Sequence, residues 1–325
     1  MRVFKFGGAS VKDPASVRNV GRIIQGYRQE PMVVVLSAMD KTTNALERLT
    51  ALFMEGKKEE MLRLFEQIKT FHLHIADELF PNPKHPIFST LEQSFYHLLY
   101  YIRETAGSQY NYEYDRIVST GELVSTQIIS AYLKEAGIPN QLFPARKLII
   151  TDANFRDARV DWIQTPQVVK SKLGPYLFPS KEGNKPPLIV TQGFIGGTSQ
   201  GFTTTLGREG SDYTAAILAY ALDATEVTIW KDVPGLLNAD PKIMEQTMLL
   251  PEISYQEAIE LAYYGATVIH PKTLKPLLSK NIPLKVKSFS DPAAAGTIID
   301  AHSNNDKLHP SYIFKFNQVL ASIFP

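Results

Sequence analysis

The sequence predicts an α/β protein built on a mostly parallel sheet, and two patterns along its 325 residues support this prediction. Short apolar runs, typical of strands, alternate with longer amphipathic runs that have the helical period. The run Met-Val-Val-Val-Leu, which begins at Met32, leaves no polar face and is typical of a strand covered by helices on both sides. Such alternation favours parallel pairing, because each helix carries the chain back across the sheet.

The first strand and the first helix are separated by a pair of glycines. Val3–Phe6 predicts a buried strand, Gly7-Gly8 ends it, and Pro14–Gly26 predicts a helix with one apolar face. Further strands are predicted at Met32–Ser37, Arg116–Ser119, Leu188–Thr191, Glu226–Trp230 and Leu284–Val286. Further helices are predicted at Leu123–Glu135, Tyr213–Leu222, Tyr255–Tyr264 and Thr273–Lys280. The helix at Tyr255 is preceded by Ser254 and has Glu257 at capping-box spacing.

One segment, from about residue 44 to 105, interrupts this alternation. Its apolar residues keep a helical period over Leu46–Ile68 and again over Leu91–Ile102. The proline-rich turn Pro81–Pro86 separates the two parts, so we predict a helical hairpin inserted between two strands. Packing or contact between subunits is its expected role. The tyrosine-rich Asn111–Asp115 that follows is predicted to be a loop back to the sheet.

The composition excludes several classes of protein. Lys+Arg 34 against Asp+Glu 33 gives a net charge of +1, which indicates neither a nucleic-acid nor a membrane partner. The absence of cysteine excludes disulfides, cysteine zinc sites and a thiol nucleophile. His72 and His74 diverge on a helix and cannot share a metal ion. No stretch approaches the roughly 20 apolar residues that span a bilayer, and no signal sequence is evident. We expect a cytoplasmic protein.

The Gly7-Gly8 corner is the first candidate site. A strand, two glycines and a helix start aim backbone N–H groups at an anion, and Lys5 adds a positive charge against a phosphate. The spacing matches neither the P-loop nor the dinucleotide fingerprint. A tight turn without a ligand is the plain alternative.

Three further corners carry polar side chains. Ser37–Asn44 and Ser119–Glu122 each follow a predicted strand, and Thr203–Asp212 precedes a predicted helix. Arg208 suits a carboxylate, because its fork binds both oxygens. Glu122 suits a substrate ammonium group, or it simply favours the helix dipole. Ligands in open α/β sheets bind beyond the carboxyl ends of the strands. The convergence of these corners therefore predicts a binding site.

Five motifs that occur in one order resemble those of the aspartokinases, in the amino-acid kinase superfamily. They are Lys5–Val11, Ser119–Glu122, Thr204–Asp212, Trp230–Gly235 and Tyr264–Leu274. The resemblance runs from residue 1 to about residue 300. It implies a three-layer αβα sandwich with an aspartate-binding N-terminal lobe at 1–200, which includes the helical insertion, and a nucleotide-binding C-terminal lobe at 201–300. It also implies transfer of the ATP γ-phosphoryl group to the β-carboxylate of L-aspartate, the first step toward lysine, threonine and methionine.

The resemblance also implies roles for single residues. Lys5 would neutralise the transferring phosphoryl group, and Asp212 would position that lysine. The backbone of Gly7 and Gly8 would cradle the phosphates. The implied aspartate-site residues are Ser37, Thr43, Glu122, Arg208 and Ser211. The implied nucleotide residues are Lys231, through its backbone, Asp232 and Lys242. ATP is the implied phosphoryl donor, with Mg²⁺ held mainly by phosphates and water rather than by protein ligands. L-aspartate and ATP are the expected partners, and a homodimer is also expected.

Several residues depart from the family pattern. Glu209 stands where Gly-Arg-Gly-Gly-Ser-Asp has a glycine, Lys231 where a threonine is common, and Thr267 where a lysine is common. Leu236-Leu237 replaces a frequent Ile-Tyr. The nucleotide segment therefore differs from the family pattern more than the aspartate segment does. Residues 301–325 resemble only the start of an ACT regulatory domain. We therefore expect no complete effector site here, and an alternating strand at Tyr312–Phe324 that pairs with another chain or remains poorly ordered.

Two alternatives to aspartate phosphorylation stay open at this point. One is another amino-acid kinase, acting on glutamate, N-acetylglutamate, a carbamate or a nucleotide monophosphate. The Ser-Thr-Gly-Glu motif together with Gly-Arg-x-Gly-Ser-Asp argues against it. The other is a non-catalytic ligand-binding or regulatory subunit. The altered nucleotide segment supports that alternative, and the presence of Lys5 and Asp212 argues against it.

Overall fold

A large sheet with helices on both faces organises the computed structural model, which describes residues 1–179, 186–264, 269–301 and 310–314. Its strands are β1 (Arg2–Phe6), β2 (Met32–Leu36), β3 (Gln141–Phe143), β4 (Ile150–Thr151), β5 (Leu188–Gln192), β6 (Ile195–Thr198), β7 (Thr203–Thr205), β8 (Glu226–Lys231), β9 (Glu252–Ser254), β10 (Leu284–Ser288) and β11 (Thr297–Asp300). Its helices are α1 (Pro14–Gly26), α2 (Thr42–Met54), α3 (Lys58–Leu79), α4 (Pro86–Arg103), α5 (Tyr110–Val118), α6 (Thr120–Glu135), α7 (Gln164–Leu177), α8 (Gly210–Leu222), α9 (Tyr255–Tyr264) and α10 (Pro271–Leu278).

The large sheet has the order β3-β5-β2-β1-β8-β10-β11-β9. All of its strand pairs are parallel except β10–β11. A smaller sheet, β4-β6-β7, lies beside it. The prediction of a mostly parallel α/β sheet is thus confirmed, and β1 lies at its centre between β2 and β8. This central position puts the end of β1 next to the ends of both neighbours.

The central strands bury both of their faces in separate cores. Phe4 and Phe6 face a first core with α1 to α6, whereas Val3 and Val33 face a second core with α7 to α10. This is the three-layer αβα arrangement. Burial of each such side chain stabilises the fold by about 1.5–3 kcal/mol. A shift by one residue would exchange the two faces, so the observed register is strongly preferred.

Two predictions between residues 105 and 120 were wrong. Arg116–Ser119 was predicted to be a strand and Asn111–Asp115 a loop, but both lie on or directly after the single helix α5. Tyr114, Ile117 and Val118 pack into the first core from this helix. A short apolar run such as Ile117-Val118 has no period of its own, so it looks alike in a buried strand and a buried helix.

The helical insertion consists of three helices rather than a hairpin of two. Gly56 takes a positive φ of 67° just after α2, which ends that helix and lets α3 start at Lys58. The turn predicted at Pro81–Pro86 is present between α3 and α4. The short strands β3, β4, β6, β7, β9 and β11 were not predicted, because two to four residues carry too little pattern.

Other local predictions were confirmed. The helices predicted at Pro14–Gly26 and Tyr255–Tyr264 have those same bounds. Ser254 and Glu257 form the capping box: the Ser254 N–H donates to Glu257 Oε2 at 2.8 Å. The tail strand predicted at Tyr312–Phe324 lies mostly outside the described residues. Within them, the Tyr312 N–H donates to the Asn238 carbonyl at 2.6 Å.

His72 and His74 point apart, as their spacing predicts. His72 is fully buried and its Nδ1 lies 2.7 Å from the Ile68 carbonyl, so this nitrogen carries the proton and donates. Burial lowers the pKa of His72 to about 4, which keeps the ring neutral at pH 7. His74 is exposed and lies 3.2 Å from Glu78. Among the described residues, no three histidine, cysteine or acidic side chains are grouped so as to hold a metal ion. No described helix has the length and apolar character needed to cross a membrane.

Candidate active site

The predicted corners come together in one cleft of about 590 Å³ at the carboxyl ends of β1, β2 and β8. Backbone hydrogen bonds tie the corners to one another. The Ser37 N–H donates to the Phe6 carbonyl at 3.1 Å, and the Asp40 N–H donates to the Gly8 carbonyl at 3.1 Å. A Cβ at Gly8 would lie 2.8 Å from the Asp40 carbonyl oxygen, so only glycine permits this approach.

Asp212 holds two lysine side chains at the floor of the cleft. Lys5 Nζ lies 2.6 Å from Asp212 Oδ1, and Lys231 Nζ lies 3.2 Å from Asp212 Oδ2. Lys5 lies on the same face of β1 as Val3, which directs its side chain toward α8. Burial by itself would raise the pKa of Asp212, but the two lysines outweigh it and hold that pKa below its usual value. The cluster therefore consists of one carboxylate and two ammonium groups and carries a net positive charge.

Glu122 contributes a second carboxyl group from the start of α6. Its Oε1 accepts the Ala38 N–H at 3.3 Å, while its Oε2 is buried without a hydrogen-bond partner among the described residues. Burial raises the pKa of Glu122 to about 8, against the opposing influence of the Ala38 N–H and Lys5. The unliganded side chain is therefore mostly protonated at pH 7. A cationic group placed beside Oε2 would favour its ionised form.

Arg208, Ser211 and Thr43 also line the cleft. Arg208 is exposed, so its guanidinium is accessible to a ligand carboxylate. Ser211 is buried against Gly193, where a Cβ would lie 2.5 Å from Ser211 Cβ. Gly193 is therefore needed for Ser211 to occupy this position.

Glu209 occupies the N-cap of α8 in a left-handed conformation, with φ 53° and ψ 28°. This conformation disfavours residues that have a Cβ. Its Oε2 is buried without a hydrogen-bond partner among the residues described. Burial raises the pKa of Glu209, which Lys231 opposes and Asp212 reinforces.

Sequence reasoning missed a structural clamp formed by Asp115. From α5 this buried carboxylate accepts the Arg156 N–H at 3.0 Å, the Thr205 N–H at 2.9 Å and the Thr205 hydroxyl at 2.6 Å. Burial raises the pKa of Asp115 to about 6 despite these bonds. The clamp fixes β7, which leads into Arg208. The available signal for Asp115 was a carboxylate within a tyrosine-rich amphipathic helix. It was missed because this segment was predicted to be a loop.

Arg156 and Glu47 were also missed. Arg156 Nη2 lies 2.6 Å from Glu47 Oε1, and both line the cleft beside Tyr114. Their separation in the sequence is large, and no local pattern marks either of them.

The structure brings most of the predicted site residues together. The cleft is lined by Lys5, Gly8, Ser37, Thr43, Glu122, Arg208, Ser211, Asp212 and Lys231. Gly7 is adjacent, since a Cβ there would lie 3.3 Å from Lys5 Nζ. Asp232 and Lys242 are exposed on the segment after β8 and do not line the cleft. Their nucleotide roles stay predictions. Thr267 lies outside the described residues.

Comparisons with known proteins agree on one family. The family model described as the amino acid kinase family matches residues 1–288. The chain is 36% identical to lysine-sensitive aspartokinase 3 of Escherichia coli (strain K12), over 99% of this chain and 69% of that protein. It is 35% identical to chloroplastic aspartokinase 3 of Arabidopsis thaliana, over 99% of this chain and 57% of that protein. A crystal structure of E. coli aspartokinase III in complex with aspartate and ADP superposes with a TM-score of 0.84 at 35% identity, covering 94% of this chain and 65% of that one.

Proposed function

The chain belongs to the amino acid kinase family, and within it to the aspartokinases, and we propose that it phosphorylates the β-carboxylate of L-aspartate with ATP. The observation that carries the proposal is the single cleft that joins the Lys5–Asp212–Lys231 cluster to Glu122 and Arg208. Two ammonium groups suit phosphates, a carboxyl group suits a substrate ammonium, and a guanidinium suits a substrate carboxylate. A related protein has been crystallised with aspartate and ADP, which are the substrate and product of this reaction.

The proposed division of roles follows the geometry of the cleft. Arg208 would bind the α-carboxylate of aspartate through both oxygens, and Glu122 would accept its ammonium group. Ser37, Thr43 and Ser211 would supply hydrogen bonds around them. The β-carboxylate of the substrate would then point toward Lys5. Arg208 and Ser211 come from beyond residue 200, so an aspartate site in the proposed lobe 1–200 would draw on the lobe 201–300 as well.

The chemistry requires positioning and charge neutralisation rather than a general base. The aspartate β-carboxylate is already ionised at pH 7, since an unperturbed Asp titrates near ~3.9. One of its oxygens forms a bond to the γ-phosphorus as the bond from that phosphorus to the β–γ bridging oxygen breaks, and ADP leaves. Lys5 and Lys231 would neutralise the charge on the transferring group, and Asp212 would hold both ammonium groups in place. The Gly8 backbone would lie against the phosphates.

The side chains that line the cleft are suited to bind ATP together with Mg²⁺. Mg²⁺ prefers oxygen ligands and is bound in kinases by one or two carboxylates together with substrate phosphates. Glu209 Oε2, which is buried without a hydrogen-bond partner in the part of the chain that the structure describes, is a carboxylate oxygen of this kind. When bound, the ion would withdraw negative charge from the phosphates. A homodimer and a cytoplasmic location stay predictions.

A coupled assay of ADP formation, run with aspartate, glutamate and N-acetylglutamate, tests the proposed activity. We expect turnover with aspartate, and we expect hydroxylamine to trap the acyl phosphate as the aspartyl hydroxamate. Turnover with glutamate or N-acetylglutamate instead would assign another amino-acid kinase. ADP and aspartate binding without turnover would indicate a non-catalytic subunit.

Aspartate binding is expected to release a proton at pH 7. Burial raises the pKa of unliganded Glu122 to about 8, so most molecules carry the proton at that pH. The substrate ammonium favours the carboxylate and lowers this pKa. A group whose pKa falls on binding gives up its proton between the two values, so up to about one proton leaves and affinity rises as the pH approaches 8.

Calorimetry in two buffers of different ionisation enthalpy measures this proton. Glu122→Gln provides the control, because it cannot ionise: the buffer dependence should disappear and aspartate should bind more weakly. The assignment of Glu122 to the ammonium group would be wrong if the wild-type protein took up a proton, or showed no buffer dependence, at pH 7.

A further inference from the structure

Glu209 combines three features that each disfavour the folded state. Its backbone is left-handed, its Oε2 is buried with no hydrogen-bond donor among the described residues, and burial raises its pKa. A glycine would relieve the first feature and remove the other two. Backbone strain together with an unsatisfied buried group, at a cleft that already holds a charge cluster, indicates that a ligand satisfies this oxygen.

The charges around Glu209 define which ligand it can take. Lys231 exerts the largest electrostatic effect on this carboxyl group, followed by Asp212, Lys5 and Arg208. Glu209 also lines the same cleft as Lys5, Asp212 and Lys231, where phosphates are proposed to bind. A carboxylate that faces incoming phosphates repels them unless a cation lies between the two.

We propose that Glu209 ligates the divalent cation that accompanies the nucleotide phosphates, through its buried Oε2. This inference rests on the proposed function, because the phosphates must supply the remaining ligands. A single carboxylate with phosphate and water oxygens is a normal environment for Mg²⁺. It also agrees with the lack of any group of three acidic or histidine side chains, among the described residues, that could hold a metal by itself.

Two other roles for Glu209 are less consistent with the structure. If it served only as a counter-charge for Lys231, its buried oxygen would accept a hydrogen bond from a donor, and among the described residues it accepts none. If it held the substrate ammonium, it would duplicate Glu122, whose Oε2 is also buried without a partner within the described ranges.

Calorimetric titration with ADP, with and without Mg²⁺, separates these roles without measuring turnover. The variants are Glu209→Gln, which keeps the shape, and Glu209→Gly, which suits the left-handed backbone and protects the test against misfolding. Glu47→Gln is the matched control, because it removes a carboxylate from the same cleft where Glu47 pairs with Arg156. The increment is defined as the factor by which Mg²⁺ tightens ADP binding.

We expect both Glu209 variants to lose at least about tenfold of this increment. Without Mg²⁺ they should bind ADP as tightly as the wild-type protein or more tightly, since a repulsive charge is gone. Glu47→Gln should keep the increment. Mn²⁺ bound with ADP should also give a weaker electron paramagnetic resonance titration in both Glu209 variants.

An increment that persists in both Glu209 variants would overturn the inference. If the variants bound ADP more tightly without metal and Mg²⁺ still tightened binding by the wild-type factor, Glu209 would serve only as a counter-charge for Lys231. Weaker aspartate binding with a persistent increment would assign it to the substrate ammonium. If the wild-type protein bound no ADP under either condition, the proposed function would fail and this inference with it. If the wild-type protein bound ADP with no increment, the inference alone would fail.

Discussion

Lys5→Ala is expected to lower kcat by about a thousandfold or more while both substrates still bind. Lys5 Nζ is held by Asp212 at 2.6 Å at the end of β1, where the transferring phosphoryl group is proposed to lie. Removing a single preorganised donor to a developing charge costs about 10²–10³ in rate, and a full positive charge in a buried site is worth more. Steady-state kinetics of ADP formation measures the loss.

Two further variants control for folding. Lys12 is exposed on the same segment, so Lys12→Ala should keep the wild-type kcat. Lys5→Ala leaves Asp212 buried with Lys231 as its remaining lysine partner, which can destabilise the fold. Lys5→Met combined with Asp212→Asn removes both charges together and should fold without activity. A folded Lys5→Ala protein with near wild-type turnover would remove Lys5 from the mechanism.

Arg208→Lys is expected to raise the KM for aspartate about thirtyfold, with little change in the KM for ATP. Arginine donates two parallel hydrogen bonds to a carboxylate, and lysine reproduces only one of them. A lost hydrogen bond to a charged group costs about 2 kcal/mol, which corresponds to about thirtyfold in affinity. The measurement is a pair of KM values for each protein.

Arg159→Lys is the matched control, because Arg159 is exposed and does not line the cleft. It should leave both KM values unchanged. Equal effects of Arg208→Lys on the two KM values, or no effect on either, would mean that Arg208 has a structural role rather than a role in substrate selection.

The corner at Ser119–Glu122 shows what a local sequence pattern can and cannot predict about a site. It was predicted to follow a strand, yet it lies between α5 and α6, and Glu122 still faces the cleft. Glu122 was selected as a candidate because a polar group at the start of a helix stands out after an apolar run, and its role in binding stays a prediction. The prediction of the element failed because Ile117-Val118 is too short to show a period.

The nucleotide segment shows where prediction from the sequence did not match the lining of the cleft. Asp232 and Lys242 were predicted from the resemblance and lie outside the cleft lining, whereas Arg156 and Glu47 line it and were not predicted. The Arg156–Glu47 pair joins residues that are far apart in sequence, and such pairs leave no trace in local spacing.

The sequence by itself determined the α/β class and most of the main strands and helices, and it marked Lys5, Glu122, Arg208 and Asp212 as candidate site residues. The spacing of apolar residues and the positions of glycines are visible in the sequence itself, and they predict strands, helices and turns. Only the tertiary structure decided that Asp212 holds two lysines, that burial raises the pKa of Glu122 and that Glu209 Oε2 is buried without a hydrogen-bond partner among the described residues. The physical reason is that ion pairing and protonation depend on burial and on distances between residues brought together by folding.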